Sequence, residues 1–595
     1  MKKKTNNSNR YKKSAITGLI SALLILIAIN IISSFVFFRL DLTADKRHTL
    51  SPATIDLLKS LDDKIYVRVY LKGDGFPADY QLFAQKSKEM LEEFRGYSNQ
   101  ILFEFIDPIE EKSREEINNI FGELSRKGLT PIPISKESSA GFSTQYVVPG
   151  ALLTYKGKEY PVNLVVADPS GNENWLTYST QELEYNLVST IRSLTRPSKP
   201  KVAFIEGHGE LDFLATSWIA YQLQRFYNVE RISLDGKINS LREVVVEDSV
   251  LQTLSIRGNK YDALIIAQPT EAFSDYDKYI IDQHIMRGGK ALWLIDATTA
   301  STDSLQRSQE FFATSRNLRL NDIFFKYGVR INANLLQDIS CQSIPISMGT
   351  IGDQPQYKFI AFPYALNIVN FSTHPIVRNM KKIKSDFAGS IDLVGNVNLK
   401  KTVLMTSSDQ TKMVPVPSIV TLNVARAQPN MQEFAFKKLP LAVLVEGEFE
   451  SAYNGLLPVE FDTIRELGFI SKSPATRQIF ISDGDIIRNF IDRKRNQPYP
   501  AGYDIYTGTM YDNSAFIINC VNYLCADDDL LQIRAKNLRI GPLDKLKVQS
   551  RGTYYAVINI AAPLLILIIT GITISIVRRF KYSKHYRRDN KPKNV

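Results

Sequence analysis

The sequence predicts an α/β protein held in a membrane. Two long uncharged stretches lie near the chain ends, and between them short apolar runs rich in β-branched residues alternate with segments of helical periodicity. Gly- and Pro-containing loops separate the two kinds of segment, the rhythm of a sheet covered by helices. The expected fold class is therefore a two-span membrane protein whose large periplasmic region holds an N-terminal βαβ (thioredoxin-like) domain and a doubly wound, parallel-sheet domain.

The membrane segments come first. Ser14 to Phe38 and Gly552 to Val577 carry no charge, and each exceeds the ~20 residues that a helix needs to cross a bilayer. The first runs into Phe35-Val-Phe-Phe and Arg39 without a small-residue cleavage site or a following Cys, so an uncleaved anchor is expected. Lys2, Lys3, Lys4, Arg10, Lys12 and Lys13 precede it with no acid, which places that end in the cytoplasm. Two crossings return the other end to the same side, where eight basic residues from Arg578 to Lys593 face only Asp589. These tails hold more than the whole formal charge of +11, and residues 39–551 are left at −2. A nucleic-acid surface would need Lys and Arg along the body, so that class is excluded. Three cysteines (Cys341, Cys520, Cys525) make no disulfide framework, and the latter two fall in an apolar helical run where packing is expected. A bacterial periplasm suits the region between the spans, with the cytoplasmic (inner) membrane as the location.

Along the chain, Ser51-Pro52 reads as the cap and first position of a helix over 53–61. Ile65-Tyr-Val-Arg-Val-Tyr-Leu71 is a strand, 80–97 a helix and Ile101-Leu-Phe-Glu-Phe-Ile106 a second strand, together a βαβ unit. A helix over 113–127 and a hairpin turning at Lys156-Gly157 complete the first domain, and a helix over 180–194 leads to the boundary Arg196-Pro-Ser-Lys-Pro200. Beyond it, strands at 201–205, 261–267 and 288–296, with helices near 215–226 and 275–287, predict a mostly parallel sheet buried on both faces. The rhythm is expected to continue through a helix at 321–328, strands at 403–405, 441–445 and 478–481, and a last helix at 513–523. The expected organisation is a basic tail 1–13, a transmembrane helix 14–38, periplasmic α/β domains 39–196 and 197–533, a juxtamembrane segment 534–551, a transmembrane helix 552–577 and a basic tail 578–595. A subdivision of the second domain near 330 is left open.

Loops at the carboxyl ends of parallel strands are where such sheets bind ligands. There Glu206-Gly-His-Gly-Glu-Leu-Asp212 sets one imidazole among three carboxylates in a Gly-hinged loop. Glu206, His208, Glu210, Asp212 and, at the end of the next strand but one, Asp296 are the candidate ligand or partner contacts. His208 could act as a general base or metal ligand oriented by Glu206, Glu210 or Asp212. The plainer alternative outweighs it: the glycines make a tight turn while the polar side chains cap a helix or face water. Ile481-Ser-Asp-Gly-Asp-Ile486 is an acidic turn without the remaining ligands of a calcium loop. Gly288-Gly-Lys290 lacks the spacing of a phosphate loop, and no His-Glu-x-x-His, Gly-x-Ser-x-Gly or Cys after the strand ending at Ala267 is present. No catalytic residue, metal or cofactor is expected, and any ATPase must be another chain.

Arg39-Leu-Asp-Leu-Thr-Ala-Asp-Lys-Arg-His-Thr-Leu-Ser-Pro, Val148-Pro-Gly-Ala-Leu-Leu-Thr-Tyr, Lys201-Val-Ala-Phe-Ile-Glu-Gly-His-Gly-Glu-Leu and Gly541-Pro-Leu-Asp together resemble the GldG family, the gliding-motility-associated auxiliary or substrate-binding components of ABC transporters. The resemblance implies a second domain similar to glutamine-amidotransferase sheets, without their nucleophilic Cys. It also implies a non-enzymatic role in bacterial gliding, with a separate ABC ATPase and permease, the lipid bilayer, and a periplasmic ligand or motility-machinery protein as partners. The alternatives from other classes are a periplasmic hydrolase using His208 with Glu206 or Glu210, and an assembly scaffold that transports nothing.

Overall fold

The computed structural model describes residues 49–525, apart from 74–75, 111, 130, 139–140, 166–174, 238, 249–252, 352–353, 396, 427, 456–467 and 493–496. It also describes Ile533, 545–589 and a few residues between 17 and 27. The chain divides into two compact units, 1–537 and 538–595.

In the first unit, helix α1 (Pro52–Lys59) starts as its sequence demands, with the Ser51 hydroxyl accepting the Thr54 amide and Pro52 at the first position. Strand β1 (Ile65–Val69), helix α2 (Ala78–Tyr97) and strand β2 (Ile101–Phe105) form the expected βαβ unit, with β1 and β2 parallel. Helix α3 (Arg114–Arg126) carries a full capping box between Ser113 and Glu116. Strands β3 (Gly150–Tyr155) and β4 (Lys158–Asn163) turn at Lys156-Gly157, both at positive φ, and give the sheet order β2-β1-β3-β4. Helix α4 (Trp175–Thr195) covers it through Leu183, Leu187 and Ile191, against Val67, Phe83 and Leu153.

The central sheet begins with strand β5 (Lys201–Glu206), helix α5 (Phe213–Gln224) and strand β6 (Asn228–Ser233). It continues through β7 (Ala263–Ala267), helix α6 (Asp275–Met286) and β8 (Lys290–Leu294). After a short helix α7 (Asn321–Lys326) come β9 (Asn370–Phe371), β10 (Lys400–Thr406), β11 (Pro440–Glu450) and β12 (Lys472–Ile481). The order is β9-β10-β11-β12-β8-β7-β5-β6. Neighbours from β12 to β6 run parallel, whereas β11, β10 and β9 add in antiparallel fashion. The sheet is thus mixed, a correction to the mostly parallel sheet expected.

Alternating side chains explain why these strands read as unbroken apolar runs. Val202, Phe204, Ala263 and Ile265 face α5 and helix α8 (Asn513–Leu524), whereas Ala203, Ile205, Leu264 and Ile266 face α6 and α7. Cys520 and Cys525 are not bridged to each other and pack within the first of these layers, as expected.

The expected α/β rhythm fails between β8 and β11. That stretch is largely antiparallel ladders: Glu310–Ala313 with Ser418–Thr421, Val329–Ile331 with Ile391–Leu393, and Asn334–Asp338 with Thr411–Pro415. A long hairpin pairs Cys341–Ile351 with Gln354–Ile368. Its partners are close in sequence but bulged between Ser347 and Gly349, so neither clean alternation nor a continuous apolar run announces it.

The second unit contains helix α9 (Lys545–Asp589), in which Val557–Val577 is long and apolar enough to cross a membrane. The Thr570 and Thr573 hydroxyls donate to the Ile566 and Ile569 carbonyls, which satisfies them without water. Most of the first expected span, 14–38, lies outside the described residues, so one crossing is supported and the second is not.

Candidate functional site

Strands β6, β5, β7, β8 and β12 follow the order 2-1-3-4-5, so the chain reverses its winding between β5 and β7. At that reversal the loops leave in opposite directions and open a crevice at the strand ends, the usual ligand position of such sheets. The loop after β5 fills it. Gly207 and Gly209 have φ of +111° and +69°, and a Cβ on Gly209 would collide with the Thr270 hydroxyl. His208 turns inward and is only 4% exposed, its ring stacked on Phe273 with centroids 3.7 Å apart.

Both ring nitrogens of His208 meet carboxylates: Nδ1 lies 3.1 Å from Glu210 Oε1 and Nε2 3.2 Å from Asp277 Oδ2. Glu210 also accepts the His208 amide at 2.7 Å. Asp277 accepts the Ser274 hydroxyl at 2.7 Å and the Gly236 amide at 2.9 Å. The His208 carbonyl takes the amides of Thr270 and Glu271, and Leu211 donates to the Ala267 carbonyl, lacing the crevice shut. Burial by itself would lower the imidazole pKa, but the two carboxylates outweigh it and hold the pKa above its ordinary value. Once protonated and bonded at both nitrogens, such an imidazole has no lone pair for a base or a metal ligand.

The other expected residues part company. Glu206 pairs with Arg231, whose guanidinium also reaches the Thr216 hydroxyl and the Leu211 carbonyl. Asp212 caps α5, accepting the Ala215 amide at 2.8 Å. Of Glu206, Glu210 and Asp212, only Glu210 serves His208, because each successive residue leaves the strand end in a different direction.

Asp296 belongs to a second cluster, past the end of β8. It is 7% exposed and accepts the Gln268 side-chain amide and the Gly484 backbone amide, both at 2.6 Å. Gln268, directly after β7, holds a left-handed φ of +55°. A Cβ on Gly484 would fall 2.5 Å from the Gln268 Cβ, so only glycine lets these two loops touch. Glycine brings in Asp483 and Asp485, the acidic turn of the sequence, which points into the protein rather than toward a cation. Asp483 accepts the Ser385 hydroxyl at 2.5 Å and the Asp386 and Asp485 amides at 2.9 and 2.7 Å. Asp485 pairs with Arg488 at 3.3 Å, and Arg488 with Asp303 at 3.0 Å. Among the described residues no group of three His, Cys, Asp or Glu could hold a metal ion.

Burial raises the carboxyls of Asp296, Asp483 and Asp485, and repulsion from Asp296 raises the latter two further, Asp485 up to about 7. A carboxyl raised on folding adds stability while protonated and loses it as pH climbs through the folded value. Asp485→Asn is therefore expected to leave the melting temperature unchanged near pH 4 and to raise it relative to the native protein between pH 4 and about 7. An unchanged difference across that range, in thermal unfolding followed by circular dichroism, would show that the cluster is not protonated.

Asp277, Gln268 and Asp483 as an Asp296 neighbour were not read from the sequence. The spacing Ser274-Asp-Tyr-Asp277 does carry a helix-start signature, and Asp277 has that cap role as well as its bond to His208. A cavity of about 580 Å3, lined by Ser340, Ser408, Gln410, Phe434 and Lys437 with three neighbours, shares no residue with either cluster.

The profile of a family of transport proteins, described as an ABC-type uncharacterized transport system, matches residues 199–520, which include both clusters. The chain belongs to this family. A second profile, of a domain of unknown function, matches 44–154. An uncharacterized protein of Borreliella burgdorferi is 22% identical over 448 residues, 74% of this chain and 79% of its own length. Likeness to solved structures is slight. The N-terminal domain of mmIFT52 gives a TM-score of 0.30 at 10% identity, covering 55% of this chain and 97% of that one. The exo-β-1,4-mannosidase Op5Man5 of an Opitutaceae bacterium gives 0.18 at 10% identity, covering 74% and 51%. Membership of the ABC-type transport family, with the apolar helix α9, indicates a transporter-associated, membrane-associated protein.

Proposed function

We propose that this chain is the non-catalytic auxiliary subunit of an ABC transporter, anchored by two spans, with both termini cytoplasmic and residues 39–551 in the periplasm. The observation that carries the non-catalytic reading is the filled crevice. Where related sheets can seat a nucleophile on a strained turn, the left-handed residue after β7 is Gln268, whose amide is bonded to Asp296. The one nearby imidazole is clamped between two carboxylates. Binding a partner needs neither group free. The sheet order β2-β1-β3-β4 supports a thioredoxin-like first domain, and the winding about β5 and β7 supports a glutamine-amidotransferase-like second one. The residues shared with the GldG family support a role in gliding motility, with the ATPase and permease as separate chains. The candidate contacts Glu206, His208, Glu210, Asp212 and Asp296 then act by shaping the strand-end surface rather than by touching a transported molecule.

Affinity purification of the full-length protein from its own cells in mild detergent tests this reading. An ATPase and a permease subunit are expected in the same fraction. Recovery of the chain without either would overturn the transporter assignment.

A further inference from the structure

We propose that Phe325, Leu393 and Val397 form an apolar corner that rests on an anionic bilayer surface, with Lys326 set among the lipid phosphates. Val397 is 92% exposed, Phe325 55% and Leu393 44%, so three large apolar side chains face water together. Their proximity is built into the fold. Leu393 pairs with Val329 just after α7, the Val394 amide donates to the Gly328 carbonyl, and Gly395 packs too tightly on the Phe325 backbone to admit a Cβ.

The surrounding charge is cationic. Arg330 is matched by Asp392 at 2.5 Å and Lys400 by Glu446 at 3.1 Å, both at the surface. Lys326 is exposed and has no ion-pair partner among the described residues. Lys401 donates to the Val394 carbonyl at 2.7 Å, which holds its ammonium beneath the turn that carries Val397. Apolar tips beside the unpaired Lys326 suit a headgroup layer of negative charge over acyl chains. Three side chains would bind vesicles weakly if the domain were free. Tethering by a membrane helix supplies the high local concentration that makes so small a contact effective. The inference rests on membrane anchoring through α9 and not on which transporter the chain serves.

The test uses full-length protein in lipid nanodiscs whose phospholipids carry bromine on their acyl chains. Val397→Trp adds a fluorophore at the tip, read against the emission of the native protein, and Leu567→Trp marks the span. The added emission at 397 is expected to be quenched in discs rich in phosphatidylglycerol and far less in discs of phosphatidylcholine alone. Lys326→Glu in the Val397→Trp background is expected to restore it. Emission at 397 untouched while that at 567 is quenched would overturn the bilayer contact and leave a protein as the occupant of the corner. Equal quenching in both lipids would overturn its anionic character. Emission at 567 untouched would overturn the anchoring itself. Phe325→Trp, also at an exposed position, repeats the reading should the first variant fold poorly.

Discussion

Asp282→Ala is expected to lower the stability of the full-length protein by about 3 kcal/mol or more. Asp282 lies within α6 and is fully buried. Its carboxyl accepts the Tyr327 hydroxyl at 2.8 Å, the Ser451 hydroxyl at 2.6 Å, the Ala452 amide at 3.0 Å and the Gln283 amide at 3.2 Å. Removal strands donors from three separate segments, none of which can reach water without opening the layer between α6 and the sheet. Burial raises the Asp282 pKa, while the four donors act in the opposite sense and favour the carboxylate. Asp282→Asn keeps an acceptor and is expected to lose less than the alanine variant. Chemical denaturation that finds the two variants equal would show that the four bonds do not bear on stability.

His208→Ala is expected to cost about 3 kcal/mol near neutral pH, because it takes a cation from between two buried carboxylates and a ring from Phe273. Here the pH dependence has a definite sign. The folded pKa lies above the ordinary 6.5, so the contribution is complete below pH 6.5 and is lost as pH rises through the folded value. The gap between native protein and variant is therefore expected to shrink on the alkaline side. A gap that widens there, measured by thermal unfolding, would mean that the imidazole is buried neutral. This dependence can be separated from that of Asp485 by subtracting the curve of each variant from that of the native protein.

Much of the fold was legible because local chemistry and tertiary structure agree. Ala263–Ala267 is apolar on both faces because helices cover both, and Ser51-Pro52 and Ser113 start helices with bonds made inside a single turn. The antiparallel hairpin 341–368 was not legible, since a bulge breaks its period and Pro345 and Pro363 fall within it. The candidate site was legible in part. The sequence placed His208, Glu210 and Asp296 at strand ends, but 69 residues separate His208 from Asp277, and no local pattern joins them. It also put Glu206 and Asp212 beside His208, whereas strand pleat and helix cap send them to Arg231 and to the first turn of α5. The sequence showed that the acidic turn at Asp483 lacks the further ligands of a calcium loop, but not which way its carboxylates face. The Ser385 hydroxyl and the Asp386 amide, almost a hundred residues earlier, turn them inward.

The protonation of His208 distinguishes a clamp from a catalyst most directly. Nitrogen NMR of full-length protein labelled at its five histidines, with His208→Gln to assign the signal, reads that state. An imidazolium at pH 7 with protons on both nitrogens, losing one only well into the alkaline range, is the predicted result. A neutral ring at pH 7 with one bare nitrogen would contradict it and give the crevice the base that a hydrolase needs.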